Sequence, residues 1–238
     1  MTHTRLIRVA AACAVGTVVA VIVAGSTAAD PPQQRDFTAA AVAIPVKPGT
    51  NADDSTTRFQ TAHGWTAKIN SVATASLGCD GCSAHASTVH VIYVPRTHAV
   101  VADNVATAWA SQCAGCSGWA LSLQIVVARS AGAVTAANRA LSFTTVCDHC
   151  TVSAAAVQIV VIATSGRELT PGQMDSVQAL YNQIAATLMP AASATSVRAA
   201  QATPKGAATT ISAKTTQIQA VVAASLHATS ATHSIAVR

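Results

Sequence analysis

Bulky and small side chains alternate along the chain three times over, at a constant interval. Val89, Val91 and Tyr93 point one way, and Ala86, Thr88 and His90 point the other. One interval later Leu121, Leu123, Ile125 and Val127 oppose Ala120, Ser122 and Gln124; one more on, Val157, Ile159 and Val161 oppose Ala154, Ala156 and Gln158. A period of two carried by β-branched residues predicts strands. A second alternation precedes each of the last two. Asn138, Ala140, Ser142 and Thr144 face away from Arg139, Leu141, Phe143 and Thr145, and Asn104, Ala106, Ala108 and Ala110 from Val105, Thr107 and Trp109. The segment Leu141–Val146 favours a strand, whereas Ala106–Ala110 fits a helix as well on propensity.

The interval is 34 residues, and the cysteines keep it: Cys79/Cys82, Cys113/Cys116 and Cys147/Cys150 are three C-x-x-C motifs in register. So do Asn70, Asn104 and Asn138, and so do His90, Gln124 and Gln158. The expected fold is mainly β. Three 34-residue repeats at about 70–103, 104–137 and 138–171, each strand, C-x-x-C turn, strand, stack like a solenoid. The small faces of the two arms close on each other, and the equivalent amides form ladders between copies. The alternative is a set of strand–helix units with a parallel sheet and right-handed crossovers. In both, neighbouring copies bury one another, so one copy is not stable alone.

The flanks read differently. Thr170-Pro171 starts a helix over 171–189, with Thr170 as N-cap and Gln173 three residues on. Met174, Val177, Leu180, Tyr181, Ile184 and Leu188 form its apolar stripe, and Pro190 ends it. This helix is expected to cover the last repeat and protect its edge, completing a repeat domain over 65–190. Residues 30–64 hold Pro31, Pro32, Pro45, Pro48, Gly49 and Asp53-Asp54, and read as a flexible lead-in with one short strand near Ala41–Val46. Residues 191–238 read as an Ala/Ser/Thr-rich disordered tail, with Ile218, Val221, Val222 and Leu226 available for a short helix. Residues 1–29 have the form of an export signal: Arg5 and Arg8, an apolar run from Val9 to Ala24, then small residues before a cut after Ala29. Left uncut, residues 9–29 are long enough to anchor the chain in a bilayer.

Composition narrows the class. Only eight residues are aromatic, three Trp, three Phe and two Tyr, so the core is built from small side chains and should be thin. The net charge is +5, and its excess sits in the leader and in Arg198, Lys205, Lys214 and Arg238 of the tail. The dense mixture of arginine and aromatic residues that binds nucleic acid is missing. H-E-x-x-H, G-x-S-x-G, the P-loop and G-x-G-x-x-G are missing as well, so no catalytic residue is assigned and no cofactor or metal is expected.

The cysteines carry the remaining chemistry. With Cys13 removed in the leader, six remain, all in C-x-x-C pairs. An even count in an exported chain points to disulfides, most simply within each motif. Thiol redox catalysis and a zinc site made from two stacked motifs are the alternatives. His85, His98 and His149 read as surface residues, and His90 stands in for glutamine in its column.

The pattern Asn-x-Ala-x-(Ala/Ser), C-x-x-C, (Ser/Thr)-x-x-Ala, Gln-(Ile/Val)-Val resembles a group of uncharacterised actinobacterial exported or membrane-attached proteins. Here it is carried by Asn104, Ala106, Cys113, Cys116, Ala120 and Gln124 and their equivalents, over roughly residues 60–190. Similar segments occur in actinobacterial proteins described as peptide zinc metalloproteases, whose zinc-binding motif this chain lacks. The resemblance implies export and an actinobacterial source, and no activity. The functional expectation is a secreted or membrane-anchored, non-enzymatic repeat module of cell-surface structure, adhesion or assembly. Its partners would be further copies of itself or a component of the cell envelope. The bulky face of Trp119, Leu121, Leu123 and Val127 is either covered by the helix or open to such a partner.

Overall fold

The computed structural model describes residues 34–129, 131–164, 166–189 and 205–238. The leader, with Cys13, lies outside them. In chain order the elements are β1 (Gln34–Ala43), β2 (Asn51–His63), β3 (Thr66–Leu77), β4 (Ser83–Ala114), β5 (Ser117–Ala128), β6 (Ala131–Asp148), β7 (Thr151–Ala163), α1 (Pro171–Leu188), α2 (Lys205–Ser225) and β8 (Ala228–Val237). The strands stack in parallel as two facing sheets. One holds β1, β3, the C-terminal part of β4 and β6. The other holds β2, the N-terminal part of β4, β5 and β7. The long β4 passes from the second sheet to the first through Pro95 and Arg96. The protein is therefore a mainly β solenoid of about four turns with a C-terminal helix. The first arms are strands, and the strand–helix alternative is excluded.

Small side chains let the two sheets meet. Ala73, Ala75, Ala84, Ala86, Ala106, Ala108, Ala120 and Ala154 are fully buried between them, together with Cys82 and Cys116. Space is so short there that a Cβ on Gly118 would lie 2.7 Å from Leu77 Cδ1 and 3.0 Å from Ala84 O. Farther along the arms the filling changes to Ile69, Ile92, Val94, Val100 and Val126. A polar layer separates these two apolar zones.

The lead-in is the first coil. β1 and β2 span most of it, paired at a 32-residue offset with β3 and β4. Pro45, Pro48, Gly49 and Asp53-Asp54, read from sequence as a linker, are turn and edge chemistry, and Pro31 and Pro32 lie outside the described residues. Gly49, Gly81 and Gly115 hold φ of 69°, 64° and 66° at equivalent bends, and His149 fills the same place at 53°. Each glycine amide donates to the bend above: Gly49 N to Asp80 O, Gly81 N to Ala114 O and Gly115 N to Asp148 O, at 2.7–2.8 Å. Asp54 accepts from the Val42 amide at 2.7 Å, and Thr56 donates to Ala40 O at 2.7 Å. Side chains of β2 thus satisfy the open edge of β1, which blunts it against further pairing.

Of the expected disordered tail, residues 205–238 form α2 and β8, and residues 191–204 lie outside the described residues. Ile211, Ile218, Val222 and Leu226 are fully buried, and β8 pairs antiparallel with β7. The short helix expected around Ile218, Val221 and Val222 is present, extended back to Lys205 as α2. Its stability comes from the surface it covers.

That surface also corrects the place of α1. The helix covers the outer face of the second sheet, while β8, not α1, pairs with the β7 edge. The columns Val89–Leu123–Val157 and Val91–Ile125–Ile159 form one apolar layer with Val177, Tyr181, Ile184, Ile211 and Ile218. The helix start is as predicted, with Gln173 Oε1 accepting from the Thr170 amide at 2.8 Å. Tyr181 anchors the helix by donating to Leu121 O at 3.2 Å, and burial pushes its hydroxyl pKa upward. Tyr181→Phe should cost about 1–2 kcal/mol, because it leaves a buried carbonyl short of a donor. The expected result is a lower urea midpoint with an unchanged slope.

Candidate functional site

The three C-x-x-C motifs sit at the equivalent bends of successive coils, in a row along one side of the solenoid. Within each motif the sulfurs lie at bonding distance, and the Cα atoms are 5.6 Å apart for Cys79/Cys82, 6.4 Å for Cys113/Cys116 and 5.8 Å for Cys147/Cys150. A disulfide spans roughly 4.4–6.8 Å between Cα atoms. The bend causes this, since a three-residue step at a tight turn brings the two Cβ vectors together.

The motifs differ in what surrounds them. Cys79 and Cys82 face carbonyls of the first coil: Pro45 O and Lys47 O lie 3.7 and 3.4 Å from Cys79 Sγ, and Lys47 O 3.1 Å from Cys82 Sγ. The other two motifs face each other. Cys113 Sγ is 3.4 Å from Cys147 Sγ and 3.7 Å from Cys150 Sγ. All four sulfurs of Cys113, Cys116, Cys147 and Cys150 lie within 4.8 Å of one another. Three of these residues are buried and Cys147 is half-buried.

The second constellation is the polar layer. Asn104 Nδ2 donates to Ser122 O at 3.1 Å, Val157 O at 2.9 Å and Asn138 Oδ1 at 2.9 Å, and its Oδ1 accepts from the Ser122 hydroxyl at 2.5 Å. Asn138 donates to Ala156 O and to Ser234 O of β8, both at 2.9 Å. Gln158 donates to Gln124 Oε1 at 2.7 Å, and Gln124 donates to Ser71 Oγ at 3.0 Å. His90 meets Ser71 through Nδ1 at 2.9 Å and Gln60 Oε1 through Nε2 at 2.8 Å. With Gln60 Oε1 as acceptor, Nε2 carries the proton and Nδ1 accepts from Ser71. Burial lowers the His90 pKa from 6.5 to about 4; a bond to the Asn70 backbone works against this and the charge of Arg58 adds to it.

The predicted columns hold with two departures. Asn104 lies over Asn138 and Gln124 over Gln158, as expected. Asn70 does not join: it pairs with Asp103, and Ser71 stands opposite Asn104. The first sheet runs at a 33-residue offset here, because the second coil has one residue more before its cysteine, at the positive φ of Gln112. The third coil repeats that feature at Val146. A shift of one residue turns a strand over, so the ladder position passes to the serine. Gln60, Ser71 and Ser122 were missed from sequence; Gln60 lies in a coil of different length, and the two serines have no amide to mark them. His90 joins the glutamines only through the Ser71 hydroxyl.

No protein-family model matches this chain, and no curated protein and no solved structure matches it.

Proposed function

We propose that this chain is an exported, non-enzymatic structural module of the cell surface, related to the actinobacterial proteins that its repeats resemble. The observation that carries the reading is the stack of C-x-x-C pairs at equivalent bends, each joining the two arms of its own coil. Crosslinks repeated in register with a scaffold belong to the scaffold. The polar layer supports the same reading, because its amides and hydroxyls are spent on neighbouring coils and none is presented to a ligand. Assembly or adhesion would use the outer face of the first sheet. Leu141 and Phe143 stand exposed there, and Phe143 stacks on Trp109 with ring centroids 6.0 Å apart.

The test is to express the full chain in an actinobacterial host and fractionate the cells. Intact mass is then measured after alkylation without reductant. The expected product is extracytoplasmic, carries no alkyl group on its six repeat cysteines, and begins at Asp30 if the leader is cut. A cytoplasmic product with six alkylated cysteines overturns the reading.

A further inference from the structure

We propose that Cys113, Cys116, Cys147 and Cys150, once reduced, form a tetrathiolate site for a soft divalent ion, zinc by preference. Cys79 and Cys82 have no part in it. The inference concerns a second state of these residues and does not depend on export or on a surface role.

Tetrahedral zinc holds thiolate sulfurs at about 2.3 Å, which places the sulfurs about 3.8 Å apart. The contacts between the second and third motifs, 3.4 and 3.7 Å, are already near that separation. Opening the bond within each motif would let each of its sulfurs relax outward to the same distance. The two motifs are consecutive C-x-x-C bends held by a parallel ladder that pairs Cys113 with Cys147 directly. The strands thus fix the ligand positions before any ion arrives. Cys147 is half-buried at the last coil, where β6 is the final strand of its sheet, and this is the way in for an ion.

The first motif lacks the same chemistry. The coil before it presents Pro45 and Lys47 carbonyls, and the first motif itself meets the second through the Cys79 carbonyl, 3.1 Å from Cys116 Sγ, whereas the second and third meet sulfur to sulfur. Three motifs therefore divide into one isolated crosslink and one four-sulfur centre. Thiolate ligands select zinc over magnesium or calcium, which prefer oxygen.

The chemistry balances as follows. An external dithiol or phosphine reductant supplies four electrons, and with four protons the two disulfides become four thiols. The ion then displaces four protons as it binds four thiolates. In the reduced state it would replace two crosslinks within coils by one centre joining the second and third coils.

The full chain should be reduced anaerobically with a phosphine, freed of reductant and titrated with Co2+. We expect one ion per chain, with the sulfur-to-cobalt charge-transfer and visible bands of a tetrahedral tetrathiolate, and displacement by one equivalent of Zn2+. The double variant Cys79→Ser/Cys82→Ser should keep the spectrum and the stoichiometry. The double variant Cys147→Ser/Cys150→Ser should lose affinity by more than about 100-fold. Because that variant also removes the crosslink of the last coil, Cys147→His gives an independent reading: the ion stays and its visible bands shift to those of a three-sulfur, one-nitrogen site. A wild-type chain without tetrathiolate bands overturns the proposal, as do bands that survive loss of Cys147 and Cys150 or vanish with Cys79 and Cys82. The thiol count of the untreated protein, which tests the surface-module reading, is a separate measurement and can fail independently.

Discussion

Asn104→Ala should destabilise the protein by about 3–5 kcal/mol, while Asn70→Ala, one repeat earlier in the same sequence motif, should change it by no more than about 0.5 kcal/mol. Asn104 is fully buried, and its amide serves the carbonyls of Ser122 and Val157 and the Asn138 side chain. Alanine removes the two N–H donors shared among those three acceptors, together with the acceptor of the Ser122 hydroxyl. Each unpaired buried group costs roughly 1–3 kcal/mol, and part is recovered because Ser122 retains Thr88 Oγ1 at 2.7 Å. Asn70 points away from this layer, opposite Asp103. Urea unfolding of both variants measures the contrast. Equal losses at the two positions would mean that the one-residue offset between the first-sheet strands is wrong.

Acid should weaken the fold between about pH 6.5 and pH 4, through one histidine. His90 is fully buried, and its folded pKa is lowered to about 4 from 6.5. In that window the unfolded chain binds a proton that the folded chain refuses, so stability rises with pH. His90's contribution is fully present above pH 6.5 and is lost as the pH falls toward 4. A gap of this size corresponds to about 3 kcal/mol. His90→Gln places in the column the side chain found at positions 124 and 158, without a titrating group. Its unfolding free energy should vary less over the window by about that amount. Chemical denaturation at half-unit pH steps decides it; identical profiles for wild type and variant would remove His90 as the cause.

The alternation around Leu123 and Val157 was enough to place strands, because one face of each is bulky and the other small. The cysteine step was enough to place the bends. Residues 34–63 form two strands that read as a linker, since the proline, glycine and acids of a turn and a blunted edge look locally like those of a linker. Asn70 falls out of its column, because a constant 34-residue step in sequence is not a constant step in space once a bulge at Gln112 absorbs one residue. β8 read as tail, because the backbone bonds that hold that strand are supplied by β7, 65 or more residues earlier.

By itself the sequence determined the local, periodic features: which segments of the three repeats are strands, where those repeats bend, which cysteines are neighbours and where α1 begins. These follow from side-chain pattern and from turn chemistry over a few residues. Only the tertiary structure decided the register between coils, the partners of the buried amides, the isolation of Cys79/Cys82 and the gathering of the other four sulfurs. Such features depend on how the coils stack, and a single added residue changes which side chain faces inward.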